Sequence, residues 1–218
     1  MHVLSVNVAR PRTNPDPRAQ SPLTGIDKKP VEDAVAVRAP GHSQSDASGL
    51  IGDTIGNPKL HGGPDQAVYA YAREDLDTWQ DQLGVRLDNG MFGENLTTVG
   101  VDLTQTRIGE RWRIGSGTLL LEVTAPRTPC RTFASFLDRP RWIKTFTDAG
   151  VPGAYFRVLN PGEVRAGDAI TIEYRPEHDV TIGLVFTARM KDPSLAPELL
   201  KADALSAELK SFARQRAT

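Results

Sequence analysis

The chain carries one cysteine in 218 residues, Cys130. No intramolecular disulfide can form, so a disulfide scaffold is excluded and a reducing compartment is expected. Structural zinc needs several soft ligands at fixed spacing, and iron–sulfur clusters need several thiolates. One thiol and four scattered histidines supply neither. Charge of one sign is also scarce. The formal net charge is −1, without the basic excess of a nucleic-acid binder, so no nucleic-acid polymer is expected as a partner. No apolar run approaches the roughly 20 residues of a spanning helix. Met1 to Ala9 is apolar only in alternation and lacks the basic start and continuous apolar stretch of a signal peptide. A cytoplasmic location away from membranes is the expectation. Nucleotide fingerprints are missing as well. Gly52-Asp53-Thr54-Ile55-Gly56 lacks the Gly-Lys-Ser/Thr ending of a phosphate loop, and neither Gly-x-Gly-x-x-Gly nor His-Glu-x-x-His occurs.

Glycine and proline are plentiful and fall mainly before residue 177, where they punctuate short strands. Strands are predicted at His2 to Val8, Ala34 to Val37, Arg111 to Ile114, Thr118 to Thr124, Ala154 to Leu159 and Ala169 to Tyr174. Helical periodicity interrupts them at Arg73 to Leu83 and Arg141 to Ala149. Residues 11–22 and 40–49 read as polar loops, the second a mobile one. After Pro176 the strand signals stop. Three helix-prone segments follow, Thr181 to Met190, Ser194 to Lys201 and Asp203 to Arg216, with Asp203 placed to cap the last. The fold class expected is mainly β with α: a barrel-like, mainly antiparallel body over 1–176 and a small helical appendage over 177–218.

Chemistry concentrates near Cys130. It lies in Ala125-Pro126-Arg127-Thr128-Pro129-Cys130-Arg131, just past the most apolar strand, where two prolines stiffen the exit. Positive charge from Arg127 and Arg131 would favour the thiolate, the form that binds metals and attacks electrophiles. Between Arg107 and Lys144 there are eight basic residues against three acidic, an excess that suits an anionic small molecule around the cysteine. Three other segments carry reactive or anion-binding groups. His61-Gly62-Gly63-Pro64-Asp65 lets backbone N–H groups approach an anion. Thr24-Gly25-Ile26-Asp27-Lys28-Lys29 sets a hydroxyl, a glycine and lysines where a phosphate could be held. Phe92-Gly93-Glu94-Asn95-Leu96 adds a carboxylate and an amide beyond a glycine.

In this order, these segments resemble a MOSC domain, the fold named after the C-terminal part of molybdenum-cofactor sulfurases, and most closely its stand-alone bacterial YiiM type. Pro161-Gly162, Val164 and Gly167-Asp168 extend the likeness, and Leu199-Leu200 with Ala204-Leu205-Ser206 resembles the three-helix extension of that type. The resemblance implies a β-barrel that binds the molybdenum cofactor, a pterin dithiolene with a terminal phosphate. It implies Cys130 as the protein ligand of molybdenum, and reduction of N-hydroxylated compounds (bases, hydroxylamines, amidoximes) to amines. A separate reductase would supply electrons. Carried onto this chain, Cys130 and His61 are the candidate catalytic residues. Arg127, Lys28, Thr24 and Gly25 would hold the phosphate or pterin. His61 and Asn95 would hydrogen-bond the cofactor or shape its pocket. Glu94 and Asp65 are candidates for proton supply or for orienting loops. Where the family often has lysine before the Thr-Gly-Ile turn, this chain has Leu23, which leaves Lys28 as the basic residue in register. Two other functions fit the same thiol: a sulfur carrier using a Cys130 persulfide, and a non-catalytic cofactor-binding protein. The helical tail would pack on the body or on a second subunit in a homodimer.

Overall fold

The computed structural model describes residues 1–41 and 46–217; part of the loop expected over 40–49 lies outside the described residues. In chain order the strands are β1 (His2–Val8), β2 (Arg12–Thr13), β3 (Leu23–Thr24), β4 (Lys29–Val31), β5 (Val35–Val37) and β6 (Val68–Ala72). Helix α1 (Arg73–Leu83) precedes β7 (Leu96–Val99), β8 (Arg111–Ile114) and β9 (Leu120–Pro126). Helices α2 (Arg131–Leu137) and α3 (Trp142–Ala149) lead into β10 (Ala154–Asn160), β11 (Gly162–Val164) and β12 (Ile170–Tyr174). The C-terminal part holds α4 (Ile182–Met190), a 3-10 segment (Pro193–Lys201) and α5 (Ala207–Arg214).

One eight-stranded sheet in the order β12-β8-β9-β10-β6-β7-β1-β4 organises the chain, with two-stranded pairs β11-β5 and β2-β3 beside it. Every pairing is antiparallel except β6 with β7, which α1 connects. The fold is therefore mixed α/β around a large sheet, and the closed barrel expected from sequence is not what the ladder forms. Its edges are β4 and β12. Pro30 in β4 lacks a backbone donor and suits an edge. Next to β12 the chain returns to β1 through an isolated bridge between His2 and Ala169 and backbone bonds from Val3 to Asp168, Gly167 to Val3 and Ile170 to Met1, but among the described residues no continuous ladder forms there and β4 stays at the other edge.

The burial pattern explains which elements were legible. β6 is buried at all five positions, because β10 and β7 flank it and both faces are covered. It shows no alternation, so no strand is predicted there. The C-terminal helices bury Val185, Ala188, Leu199, Leu209 and Phe212 in the same apolar cluster as Val68, Leu121 and Phe156 of the sheet. Their cap differs from expectation: Ser206, not Asp203, begins α5, its hydroxyl accepting from the Leu209 N–H. A second cluster, rich in aromatics, joins Trp79 of α1 to Phe92, Phe133, Trp142 and Phe146. Its rings meet edge to face, as between Phe133 and Trp142 at 5.4 Å.

Asp75 on α1 tests this packing. Burial, then the neighbouring Asp102 and Glu74 carboxylates, push its carboxyl up to about 6 from 3.8. Because the folded value exceeds the unfolded one, the folded protein holds a proton that the unfolded chain has lost, and stability declines as pH rises from about 4 to 6. Asp75→Asn is expected to gain about 1–2 kcal/mol at neutral pH, after allowance for solvent screening, and nothing near pH 3. Urea unfolding at the two pH values checks this.

Candidate functional site

A cavity of about 350 Å³ brings together four segments that are distant in sequence. Thr24, Gly25, Ile26 and Lys28 form one wall; Thr54 to Asn57 with Leu60 and His61 form another. Arg127, Cys130, Arg131 and Thr132 form the third, and Tyr69, Gly93 and Tyr155 close the depth. The sheet explains this convergence. β9 and β10 are neighbours, and β9 delivers Arg127 and Cys130 while β10 delivers Tyr155. Next to β10 lies β6, which begins just after the His61 turn and carries Tyr69.

Cys130 is the N-cap of α2 and is half-buried. Burial alone would raise its thiol. The His61 imidazole, the Arg127 charge and the Phe133 N–H outweigh that and lower it to about 7 from 9.0. Helix α2, which turns the thiol toward the cavity, was not predicted. Its Arg-Thr-Phe-Ala-Ser-Phe-Leu sequence is short and crowded by prolines upstream.

Arg127 is 7% exposed yet has no carboxylate within ion-pair range among the described residues. Its guanidinium donates to the Phe92 carbonyl and lies 4.1 Å from the Phe133 ring centroid and 5.2 Å from that of Tyr69. Such cation–π contacts contribute on the order of 1 kcal/mol each. They do not neutralise the charge. Arg131 reaches the same cavity but is paired with Asp16 at 2.9 Å. The basic excess expected around the cysteine is otherwise dispersed. Arg111 pairs with Glu122, Arg113 with Glu173 and Lys144 with Asp148, all away from the cavity.

Lys28 lines the cavity, but its ammonium is bound to both Asp53 oxygens, at 2.5 and 2.6 Å. Burial would raise the Asp53 carboxyl; Lys28, the Ser48 hydroxyl and the Ala9 N–H hold it below the usual carboxylate range instead. Asn95 also donates to Asp53, at 2.9 Å, and accepts from the Tyr69 N–H, so it stands behind the cavity wall instead of in it. Asp53 is thus the organising carboxylate that sequence reasoning missed; it was weighed only as part of a failed phosphate loop. Glu94 is fully buried outside the cavity, bonded through one oxygen to the Gly90 N–H and the Thr97 hydroxyl. Its other oxygen has no partner among the described residues, and burial raises its carboxyl. Asp65 likewise lies outside the lining, ion-paired with Arg157 at 2.7 Å.

Thr24 accepts from the Ile26 N–H through its hydroxyl, which shapes the turn. Gly25 is required there: a Cβ would come within 1.8 Å of the Thr54 carbonyl oxygen. Among the described residues no cluster of His, Cys, Asp and Glu could hold a metal by protein ligands alone, and no helix is long and apolar enough to cross a membrane.

Comparison with known proteins places the chain that carries this cavity in a family. The family model for the MOSC domain matches residues 57–171. The chain belongs to the MOSC domain family. Protein YflK of Bacillus subtilis (strain 168) is 31% identical over 180 residues, covering 83% of this chain and 76% of YflK. A protein named Reductase from Gibberella moniliformis (strain M3125 / FGSC 7600) is 33% identical over 133 residues, which is 60% of this chain but only 23% of that protein. The crystal structure of YiiM from Geobacillus stearothermophilus superposes with a TM-score of 0.79 at 25% identity, covering 100% of this chain and 99% of YiiM. Within the family, this chain is of the YiiM type.

In the metal-free protein, Cys130 alkylation by iodoacetamide is expected to titrate with a midpoint near 7, the rate falling below it as the thiolate takes up a proton. His61→Ala should move that midpoint up toward the ordinary thiol value of about 8.5. An unmoved midpoint would remove His61 from contact with the thiol.

Proposed function

We propose that this protein is a molybdenum-cofactor oxidoreductase that reduces N-hydroxylated bases, hydroxylamines and amidoximes to amines, with electrons from a partner reductase. The observation that carries the reading is a half-buried thiol lowered to about 7 in the same cavity as a buried arginine without a carboxylate partner. A softened thiolate suits a thiophilic metal bound by sulfur on its other side. The uncompensated Arg127 charge suits an anionic pterin. At Gly25 a Cβ would collide with the Thr54 carbonyl oxygen, so these two lining segments meet backbone to backbone beside the thiol and the guanidinium. The donor set therefore fits the group.

In this reading Cys130 holds the metal, and Arg127 and the Thr24–Gly25 turn hold the pterin or its phosphate. Lys28 contributes less charge than its position implies, because Asp53 neutralises it; Arg131 is likewise matched by Asp16, so with Leu23 apolar the phosphate falls to Arg127 and the Thr24–Gly25 turn. His61 orients the thiolate and holds a proton at its imidazole. When bound, the cofactor would supply the electron pair that, together with two protons taken up from solvent, converts N–OH to N–H and water. The residues supply position, charge and water exclusion. Residues 1–176 form the MOSC body in this account, and 177–218 its three-helix extension; a homodimer remains part of the reading.

A second reading rests on the same lowered thiol: Cys130 carries a persulfide and passes its sulfur on. Protein produced with cofactor available is expected to hold stoichiometric molybdenum, lost in Cys130→Ser. Full retention in that variant takes Cys130 away from the metal. Intact mass showing a labile one-sulfur adduct on Cys130, without molybdenum, decides for the carrier.

A further inference from the structure

His61 and Cys130 reach the cavity from separate segments, and a single guanidinium bonds to both of these segments and to the C-terminal part as well. Arg157 of β10 donates to the Asp65 carboxylate from Nε at 3.0 Å and from Nη2 at 2.7 Å. Asp65 sits in the 3-10 turn Pro64–Gln66, directly after His61-Gly62-Gly63. The same guanidinium donates through Nη1 to Glu122 at 3.1 Å, on the strand that runs to Cys130. Its Nη2 also reaches the Ala204 carbonyl at 3.0 Å, in the C-terminal part of the chain. Thr124 of β9 completes the link, its hydroxyl donating to the Asp65 carbonyl at 2.5 Å.

We propose that Arg157 is a positioning residue: it clamps the His61 turn to the cysteine-bearing strand, and the C-terminal extension serves the site by closing the clamp through Ala204. Two glycines follow His61, and among the described residues the backbone bonds of the turn run to Asn57 and Ala47 and none of them to the cysteine-bearing strand. Its placement relative to Cys130 must be supplied from outside, and a planar guanidinium with five fixed donors can hold three acceptors at once. The extension then has a reason to be attached to this body beyond covering apolar surface. This inference concerns the thiol and imidazole of the protein itself. It stands or falls independently of whether the cavity carries molybdenum.

The test uses the full chain, whose only thiol makes alkylation unambiguous. Iodoacetamide modification of Cys130 at neutral pH is followed by intact mass, alongside amide hydrogen exchange over residues 61–67. Arg157→Gln and Asp65→Asn are each expected to slow alkylation about fivefold, because the imidazole no longer holds the thiolate. Exchange in the turn should accelerate in both. The double variant should be no slower than either single one, since both break the same link. Arg157→Lys should recover part of the rate, and Arg113→Gln, which breaks the pair with Glu173 elsewhere on the sheet, should leave it unchanged. Wild-type alkylation in folded Arg157→Gln overturns the proposal. So does faster alkylation, which would mean that the clamp merely covers the thiol. If Arg157→Gln does not fold, Asp65→Asn decides by the same criteria.

Discussion

A guanidinium buried without a carboxylate is the constraint around which this molecule is built. Removing a charge from water costs several kcal/mol unless dipoles or aromatic faces replace the lost hydration. Here the Phe92 carbonyl and the rings of Phe133 and Tyr69 do so in part. Those rings belong to the second apolar cluster, so its aromatic content has a function beyond packing. Arg127 stays cationic, and the field it leaves in the cavity lowers Cys130. Fold stability and thiol chemistry share one side chain.

The other charges in the cavity obey the opposite rule. Lys28 is matched by Asp53 and Arg131 by Asp16, so each contributes shape and hydrogen bonding more than net charge. A buried ion pair of this kind is weak evidence for stability, because desolvation of both partners offsets their attraction. It is better evidence for fixed geometry. Asp53 gathers Lys28, Ser48, Asn95 and the Ala9 N–H on one carboxylate, and thereby locks three loops against β1 and β7.

How much was legible follows from the kind of signal each element carries. β1 and β8 lie where alternation predicted them, and α1 has the predicted bounds because Leu76 and Trp79 repeat on one face before Gly84 stops it. β6 was hidden because burial on both faces erases alternation. Closure of the sheet could not be read from strand content, since it depends on which edges meet in space. Around the cavity, the segments bearing Thr24, His61, Arg127 and Cys130 were found from residue type and order, and the sheet brings them together. Asn95 lies outside the lining, bonded to Asp53 and the Tyr69 N–H behind it. The partners Asp53 and Arg157 carried no local signal, because the charges they meet, Lys28 and Asp65, lie 25 and 92 positions away in sequence.

The Gly25 turn has a bearing on how such proteins diversify. Backbone meets backbone where that turn passes Thr54, so this wall of the hollow is set by main chain and admits no enlargement by trimming side chains. Variation must come from lining side chains such as Gln20, Leu23, Ile55 and Leu60. A lineage built on this scaffold would keep one wall while exchanging the others.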